Sequence, residues 1–399
     1  MSLFGLLLHR HARRGVDRPH VEGGFTLIEL LVTIIAGTLV AAATFTFFAS
    51  QQRVYEVQTK MIGVQENLWG ALETVTRYVR SSGAGMQDCV RGDADGSGSD
   101  TGDPPPGGDV APTTGLRAFR DGVGTFRIPP LWIRNGAAGA PDTITVAFGR
   151  GSSGNFRDAL LGATVSAGQS TGDVTTMPGQ SGRFVAGEFM LLVDEARGDA
   201  DRGCSLFRIT NVIPGSDTLM RATSSPWNPT TDQLALVPFL YQGGTLTSTG
   251  GIRNLGELVW VQLAIDQSGA PDVAPRLTLD RLDDTAPAQI LAEGIEDMQI
   301  AYGCDLGPGT TPDGTITEGT DTATRLADEW TYNQAGDVQP TRCQRPDAIR
   351  ITLVGRTLVP DETLTLQTTN GRPNVEDGSG GAPDLFRHRT VTATVRLRN

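Results

Sequence analysis

The N-terminal part of the sequence contains a long apolar run that holds a single charge. From Phe25 to Phe48 the only charged side chain is that of Glu29. A run of about 24 residues is long enough to cross a bilayer as an α-helix. A carboxylate inside such a span is costly and usually functional. The run therefore predicts a transmembrane helix in which Glu29 has a specific role.

A basic leader and two glycines precede this run. Gly23 and Gly24 would give a protease an extended, unhindered backbone next to Phe25. An ordinary secretory signal has its cleavage site after the apolar core, whereas the candidate site here lies before it. A plain signal anchor is the alternative. It explains the apolar run but neither Glu29 nor the Gly-Gly-Phe junction.

This combination of Gly23-Gly24-Phe25 and Glu29 resembles the N-terminus of type IV pilins and their type II secretion relatives. In that family a prepilin peptidase cuts after the second glycine and methylates the new amino terminus. The resemblance implies cleavage between Gly24 and Phe25, removal of a leader at 1–24, and N-methylation of Phe25. It also implies that Glu29 attracts the terminal amine of a neighbouring subunit during assembly. The alternatives are that Glu29 pairs with its own N-terminus or is protonated.

The helical pattern continues beyond the apolar run. Apolar residues recur at three- and four-residue steps from Val54 to Val79, and no proline occurs between Phe25 and Asp103. Ser81-Ser82-Gly83 ends the pattern. The sequence predicts one helix over 25–82, with a transmembrane half at 25–48 and a second half whose apolar stripe holds a globular domain.

The remainder, 83–399, has the pattern of a β-rich head. Fifty glycines and many polar residues fit loops between short strands. One short helix is predicted at Ala288–Glu293, and variable loops are predicted near 91–114 and 305–340. The expected fold is α+β, a long N-terminal helix followed by an antiparallel β-rich head. Strands are predicted at 142–148, 189–193, 205–212, 255–265, 276–282, 349–353 and 390–397.

Four segments of the head sharpen the resemblance to PilW-type minor pilins: 77–83 followed by Cys89, then 187–194, 293–303 and 395–399. This implies a minor pilin that takes part in initiating a type IV pilus, at the filament tip. The alternatives are a type II secretion pseudopilin of the tip complex, or a tip module that binds a surface or DNA. The implied partners are the prepilin peptidase, other minor pilins, the major pilin and, as a further candidate, a tip adhesin. The implied location is the inner membrane, as a single-pass protein with a periplasmic head, and then the extracellular pilus.

The four cysteines are expected to form disulfides. Their even number and wide spacing, in an exported domain, are typical of disulfides in an oxidising compartment. Three pairings are open, and Cys304–Cys343 with Cys89–Cys204 is favoured. The alternative is four reduced, buried thiols.

Composition argues against several other functions. The net charge of −12 disfavours broad binding to nucleic acid. Three of the four histidines lie in the leader, which disfavours a His-rich zinc site or a His-based proton relay. The remaining one, His388, is expected at the surface.

No enzyme or resident cofactor is predicted, because the sequence shows no nucleophile–base pair, phosphate loop or metal motif. Asp93 and Asp95 are weak calcium candidates. The terminal glutamate of an EF-hand loop is missing, so a flexible solvated loop is the favoured interpretation.

Overall fold

A computed structural model gives the fold of the chain. It forms two compact units, Met1–Gln58 and Thr59–Asn399. Asp93, Asp95, Cys89 and Cys343, and the predicted loop at 91–114, lie outside the described residues, as does most of 305–340. The structure describes residues 24–86, 116–120, 124–152, 156–165, 173–194, 204–222, 224–228, 250–269, 273–305, 314–317, 329–331, 347–361, 364, 371–376, 378 and 380–397.

One long helix, α1, runs from Leu27 to Ser81. It ends where Gly83 adopts a positive φ of 71°, a backbone conformation that glycine adopts without strain. The amide of Gly83 donates to the carbonyl of Ala147 at 2.9 Å, which ties the end of the helix to a strand of the head. The predicted long N-terminal helix is therefore confirmed.

Eighteen strands follow among the described residues. They are β1 (Leu116–Arg120), β2 (Gly124–Ile128), β3 (Leu131–Arg134), β4 (Thr143–Gly149), β5 (Arg157–Leu160), β6 (Val174–Thr175), β7 (Phe189–Asp194), β8 (Cys204–Arg208), β9 (Asn211–Ile213), β10 (Thr218–Met220), β11 (Gly250–Gly256), β12 (Leu258–Asp266), β13 (Arg276–Arg281), β14 (Gln289–Glu293), β15 (Ile295–Gly303), β16 (Trp330–Thr331), β17 (Ala348–Arg356) and β18 (His388–Arg396).

The largest core lies where the second half of α1 packs with two antiparallel sheets. One sheet has the order β14-β13-β12-β4-β3 and the other β16-β15-β17-β18. The apolar stripe of the helix is buried from Val64 onward, whereas Val54 is exposed. The helix, β4 and β18 contribute apolar side chains at the spacing that their periodicity predicts. Members of this core include Val64, Leu68, Leu72, Val75, Val79, Ile144, Val146, Phe148 and Val395.

A second pair of sheets builds the rest of the head. A six-stranded sheet has the order β2-β1-β8-β7-β11-β5, and a three-stranded sheet has the order β6-β10-β9. Strands β1 and β8 pair in parallel at Arg117 and Ser205, whereas the other pairs between named strands are antiparallel. The predicted α+β class with an antiparallel β-rich head is confirmed.

Three local predictions were wrong. Residues 289–293 form strand β14, which pairs with β13, rather than a helix; sheet pairing outweighs a weak local helix preference. The run at 205–212 is split between β8 and β9. The run at 255–265 is interrupted because Gly256, at φ 70°, turns the chain between β11 and β12. A Cβ on Gly256 would lie 2.4 Å from the carbonyl carbon of Gly151, so this close approach requires glycine.

Contact between the helix and the four-stranded sheet depends on a second glycine. A Cβ on Gly355, near the end of β17 in that sheet, would lie 2.9 Å from Cγ of Leu68. Leu68 is fully buried. The missing side chain therefore makes the space that Leu68 fills.

Candidate functional site

The first turn of α1 is organised by Thr26 and Glu29. The amide of Thr26 donates to Oε2 of Glu29 at 3.2 Å, and the amide of Glu29 donates to Oγ1 of Thr26 at 3.3 Å. The Thr26 hydroxyl also lies 3.1 Å from the same carboxylate oxygen. This is a capping box, in which an N-cap threonine and a glutamate three residues later satisfy each other's backbone amides. The sequence Thr-x-x-Glu could have revealed it.

The candidate cleavage site lies just outside this cap. Gly24 and Phe25 precede the helix, and the side chain of Phe25 is exposed. Within the described part of the chain, nothing beyond its sequence neighbours lies within 4 Å of a Cβ built on Gly24. The described residues thus leave the peptide bond between Gly24 and Phe25 uncovered, as a protease requires, while Gly23 lies outside them. Cleavage and methylation here stay predictions.

The apolar run itself carries no unsatisfied hydroxyl among its threonines and Ser50. The Thr26 hydroxyl bonds to Glu29, and each of the others donates to a backbone carbonyl three or four residues earlier in the helix, at 2.6 to 2.8 Å, which suits a segment surrounded by lipid. Of the described helices, α1 is the one long and apolar enough to cross a membrane. The donors are Thr33, Thr38, Thr44, Thr46 and Ser50.

The segment at 293–303 that carries the resemblance to PilW joins two sheets of the head. The buried carboxylate of Asp142 accepts hydrogen bonds from the amide of Ile300 at 2.7 Å and from that of Gly136 at 2.8 Å. The hydroxyl of Tyr302 accepts from the amide of Ile133 at 3.2 Å. Because β3 and β4 belong to one sheet and β15 to the other, these bonds fix the angle between them.

The same segment places polar side chains on the other face of β15. Asp297 is fully buried, and burial raises the pKa of its carboxyl above the ordinary value. Its Oδ1 accepts from Gln299 at 2.9 Å, and its Oδ2 lies 3.5 Å from Nη1 of Arg372. Arg350 bonds to Glu376 at 2.6 Å on this face. Arg372 and Glu376, which lie between β17 and β18, are thereby held against the sheet by polar contacts.

The disulfide prediction is only partly within the described residues. No described cysteine is free, and Cys204 and Cys304 are each disulfide-bonded. Cys89 and Cys343 lie outside the described residues. The favoured pairing therefore stays a prediction.

His388 does not lie freely at the surface, contrary to the expectation from its arginine neighbours. Its side chain is 6% exposed, and its Nε2 lies 2.9 Å from Oε2 of Glu296. The error arose because the sequence neighbours of a residue at the start of a strand do not reveal what lies across the sheet.

The head also contains an open cavity of about 670 Å³. Phe189 and Trp227 line it with ring centroids 5.2 Å apart. Arg150 and Glu257 also line it and pair at 2.9 Å. The cavity volume is in the range of small-molecule sites. However, the charges of Arg150 and Glu257 neutralise each other, so the geometry does not select a ligand class.

Comparison with known proteins finds a family match in the last third of the chain. Residues 264–399 match the family model described as type IV pilus-assembly protein W, PilW. No curated protein matches the chain. A solved structure that matches is a type IV-like pilin from Thermus thermophilus, at 12% identity, covering 53% of this chain and 84% of that one. Its TM-score of 0.20 is too low to carry an argument.

Proposed function

We propose that the chain, whose residues 264–399 match the PilW family model, is a minor pilin that takes part in initiating assembly of a type IV pilus. Structural pilins are anchored by an apolar N-terminal helix and act with other pilins, and the long helix α1 followed by a β-rich head suits such a subunit. The finer role is the proposal: a leader at 1–24 is removed by prepilin peptidase, Phe25 becomes the methylated N-terminus, and the mature rod carries the head.

The observation that supports this role most directly is the exposed apolar first half of α1 with one carboxylate in its first turn. From Phe25 to Phe48 many large apolar side chains are more than half exposed. Before assembly lipid would cover them, in a single-pass protein with a periplasmic head; in a filament, the helices of neighbouring subunits would do so. This surface therefore supports movement from membrane to filament.

Glu29 would then neutralise the amine of a neighbouring Phe25. A charge without a partner in a dry helix bundle costs several kcal/mol, and pairing removes this cost for both groups. In the single chain Glu29 is held by Thr26, one residue from the proposed new terminus. The cap keeps the carboxylate ordered until it meets a neighbour's amine.

We place the subunit at the tip because of the size of its head. Thr59–Asn399 forms one compact unit with 18 described strands. Repeating such a head along a tightly packed shaft would crowd its neighbours. One copy at the tip, beside other minor pilins and in reach of a tip adhesin, avoids this conflict.

Three variants test the role of Glu29, because they separate charge from capping. Glu29→Gln removes the charge but keeps an acceptor that suits a capping box. Thr26→Ala removes the cap hydroxyl but keeps the charge. Glu29→Ala removes the charge and the carboxylate acceptor of the capping box. If charge pairing drives entry, both Glu29 variants lower the number of surface pili in a deletion strain, while Thr26→Ala lowers it less.

Leader cleavage, measured by the mass of the N-terminal peptide, serves as the control and is expected to stay largely intact in all three variants. Normal piliation by Glu29→Gln would overturn the charge-pairing role. Normal piliation of the deletion strain, with loss of attachment or DNA uptake, would instead support the tip-binding module. Loss of protein secretion with normal pili would support the secretion pseudopilin.

A further inference from the structure

Three side chains that are far apart in the sequence meet on one face of the four-stranded sheet. His388 begins β18 and pairs across the sheet with Arg356 of β17. Leu353 of β17 lies in the core, so by alternation Arg356 and His388 lie on the face turned away from it. Asp384 lies four residues before His388, in the approach to β18. The third side chain is that of Glu296 on β15.

A β-bulge brings Glu296 to this face. The register between β15 and β17 shifts between Ile295 and Asp297, which leaves Glu296 as the extra residue. Bulges redirect a side chain and are frequent beside functional sites. Without this shift the side chains of β15 would alternate regularly between the two faces, and Glu296 would lie on the same face as Met298, which is in the core. The bulge is thus the local feature that allows Glu296 to reach His388 past the intervening strand.

The ligand atoms of the three residues lie close together. Nε2 of His388 is 2.9 Å from Oε2 of Glu296 and 3.5 Å from Oδ2 of Asp384. All three ligand atoms lie within 4.8 Å of one another. The side chains are 6%, 16% and 27% exposed for His388, Glu296 and Asp384. The cluster is therefore largely shielded but keeps an opening to solvent beside Asp384.

The imidazole nitrogen is aimed into this cluster without a hydrogen bond. Among the described residues, neither Nε2 of His388 nor Oε2 of Glu296 has a hydrogen-bond partner, although both atoms are buried. The 2.9 Å contact between them thus lacks hydrogen-bond geometry. Buried polar atoms without a hydrogen bond are rare and require an explanation. A cation between the atoms would satisfy both.

We propose that Glu296, Asp384 and His388 bind a divalent transition-metal ion of the zinc type. One imidazole and two carboxylates supply nitrogen and oxygen ligands that Zn²⁺ accepts, and the two negative charges balance its own. Ligands about 2.0–2.1 Å from a tetrahedral zinc ion lie about 3.4 Å apart. The observed separations of 2.9 and 3.5 Å between ligand atoms would need only small side-chain shifts to reach this value. Water would be the fourth ligand.

Two neighbouring guanidinium groups make other contacts. Arg356 stacks its guanidinium on the ring of Phe386, 4.0 Å from the centroid. Arg387 forms an ion pair with Asp361. The bound metal would crosslink Glu296 of β15, His388 of β18 and Asp384, and so fasten the described residues just before β18 to the sheet.

Zinc titration of the purified full chain in detergent tests the site. Wild type is expected to bind one Zn²⁺ at this cluster and to melt at a higher temperature with the metal, since an ion that binds only the folded state stabilises it. Loss of even an outer-shell partner costs about 10- to 100-fold in affinity. His388→Gln and Glu296→Gln should therefore each weaken zinc binding by more than about 100-fold and abolish the melting shift.

Glu293→Gln is the matched control, since Glu293 is exposed, lies on β14 and is outside the cluster. It should bind zinc as wild type does. Co²⁺ adds a spectroscopic readout that needs no variant: wild type should show the visible absorption of a four- or five-coordinate ion with nitrogen ligation. If wild type gives no such spectrum and no melting shift, or if Glu296→Gln, folded by circular dichroism, binds zinc as well as wild type, the cluster is an ion pair and the proposal is wrong.

Discussion

Thr26 and Glu29 cap each other's backbone amides at the start of the long helix, through contacts of 3.2 and 3.3 Å. The carboxylate expected to act between subunits therefore has a partner within its own chain. A local cap lowers the cost of holding the carboxylate in an apolar environment, and it fixes where the carboxylate points. It also means that the effects of changing Glu29 combine lost charge with lost capping.

Thr26→Ala is expected to loosen the first turn of α1. Removing an N-cap hydroxyl costs about 0.5–2 kcal/mol. Amide hydrogen exchange in detergent should become faster at Leu27–Leu30, with little change after Thr33. Thr26→Ser keeps the hydroxyl and should exchange as wild type does. Equal exchange in the alanine and serine variants would show that the cap contributes nothing to helix stability.

Gly355→Ala is expected to destabilise the head, because the new Cβ would contact Cγ of Leu68 at 2.9 Å. Overpacking of this kind costs about 1–3 kcal/mol, measured as the free energy of unfolding in urea. Gly182→Ala is the control, since a Cβ there has no atom within 4 Å.

The pair Gly355→Ala and Leu68→Ala should not be additive. Truncating Leu68 leaves a cavity that the new methyl group partly fills, so the double variant should lose less stability than the sum of the two single variants. Strict additivity would mean that Leu68 does not confine residue 355.

Asp142→Ala is expected to be strongly destabilising. It leaves the amides of Ile300 and Gly136 without their acceptor, and each unpaired buried group costs about 1–3 kcal/mol. Asp142→Asn keeps one acceptor oxygen and should lose less. Urea unfolding measures both variants, and an alanine variant as stable as the asparagine variant would contradict the joining role of this carboxylate.

Asp266→Asn is expected to change how stability depends on pH. Hydrogen bonds from Ser268, and then from Arg276, lower the pKa of Asp266 from 3.8 to about 2. A carboxyl whose pKa is lower in the folded than in the unfolded state stabilises the fold at pH values above its ordinary pKa. This contribution is lost as the pH falls from 3.8 through about 2. The stability difference between wild type and Asp266→Asn should thus be constant at pH 5–7 and shrink below pH 4.

Ser268→Ala removes the largest cause of the lowered pKa of Asp266. Its stability should differ from that of wild type in the same direction as the stability of Asp266→Asn does, but by less. The measurement is urea unfolding of the three proteins at several pH values. A difference that grows as the pH falls would contradict the assigned cause.

The sequence predicted the features that depend on periodicity and composition. The helix ended at the predicted serine–glycine turn, and Val391, Ala393 and Val395 faced the core as their alternation indicated. It did not predict features created by contacts between distant segments. The need for glycine at position 355 follows from its contact with Leu68. Residues 289–293 form a strand because they pair with β13. The cluster of Glu296, Asp384 and His388 was missed for the same reason, since a bulge brings Glu296 to residues about 90 positions away in the sequence.

The last strand also determines how the protein can be handled. Strand β18 is paired along its whole length with β17, and Val395 near its end is buried in the main core. A reporter or affinity tag would have to begin beyond Leu397, with a spacer, to leave the pairing of β18 and the burial of Val395 undisturbed. A shortened variant that stops before Thr390 should aggregate, because it would expose an apolar cleft and an unpaired strand edge together.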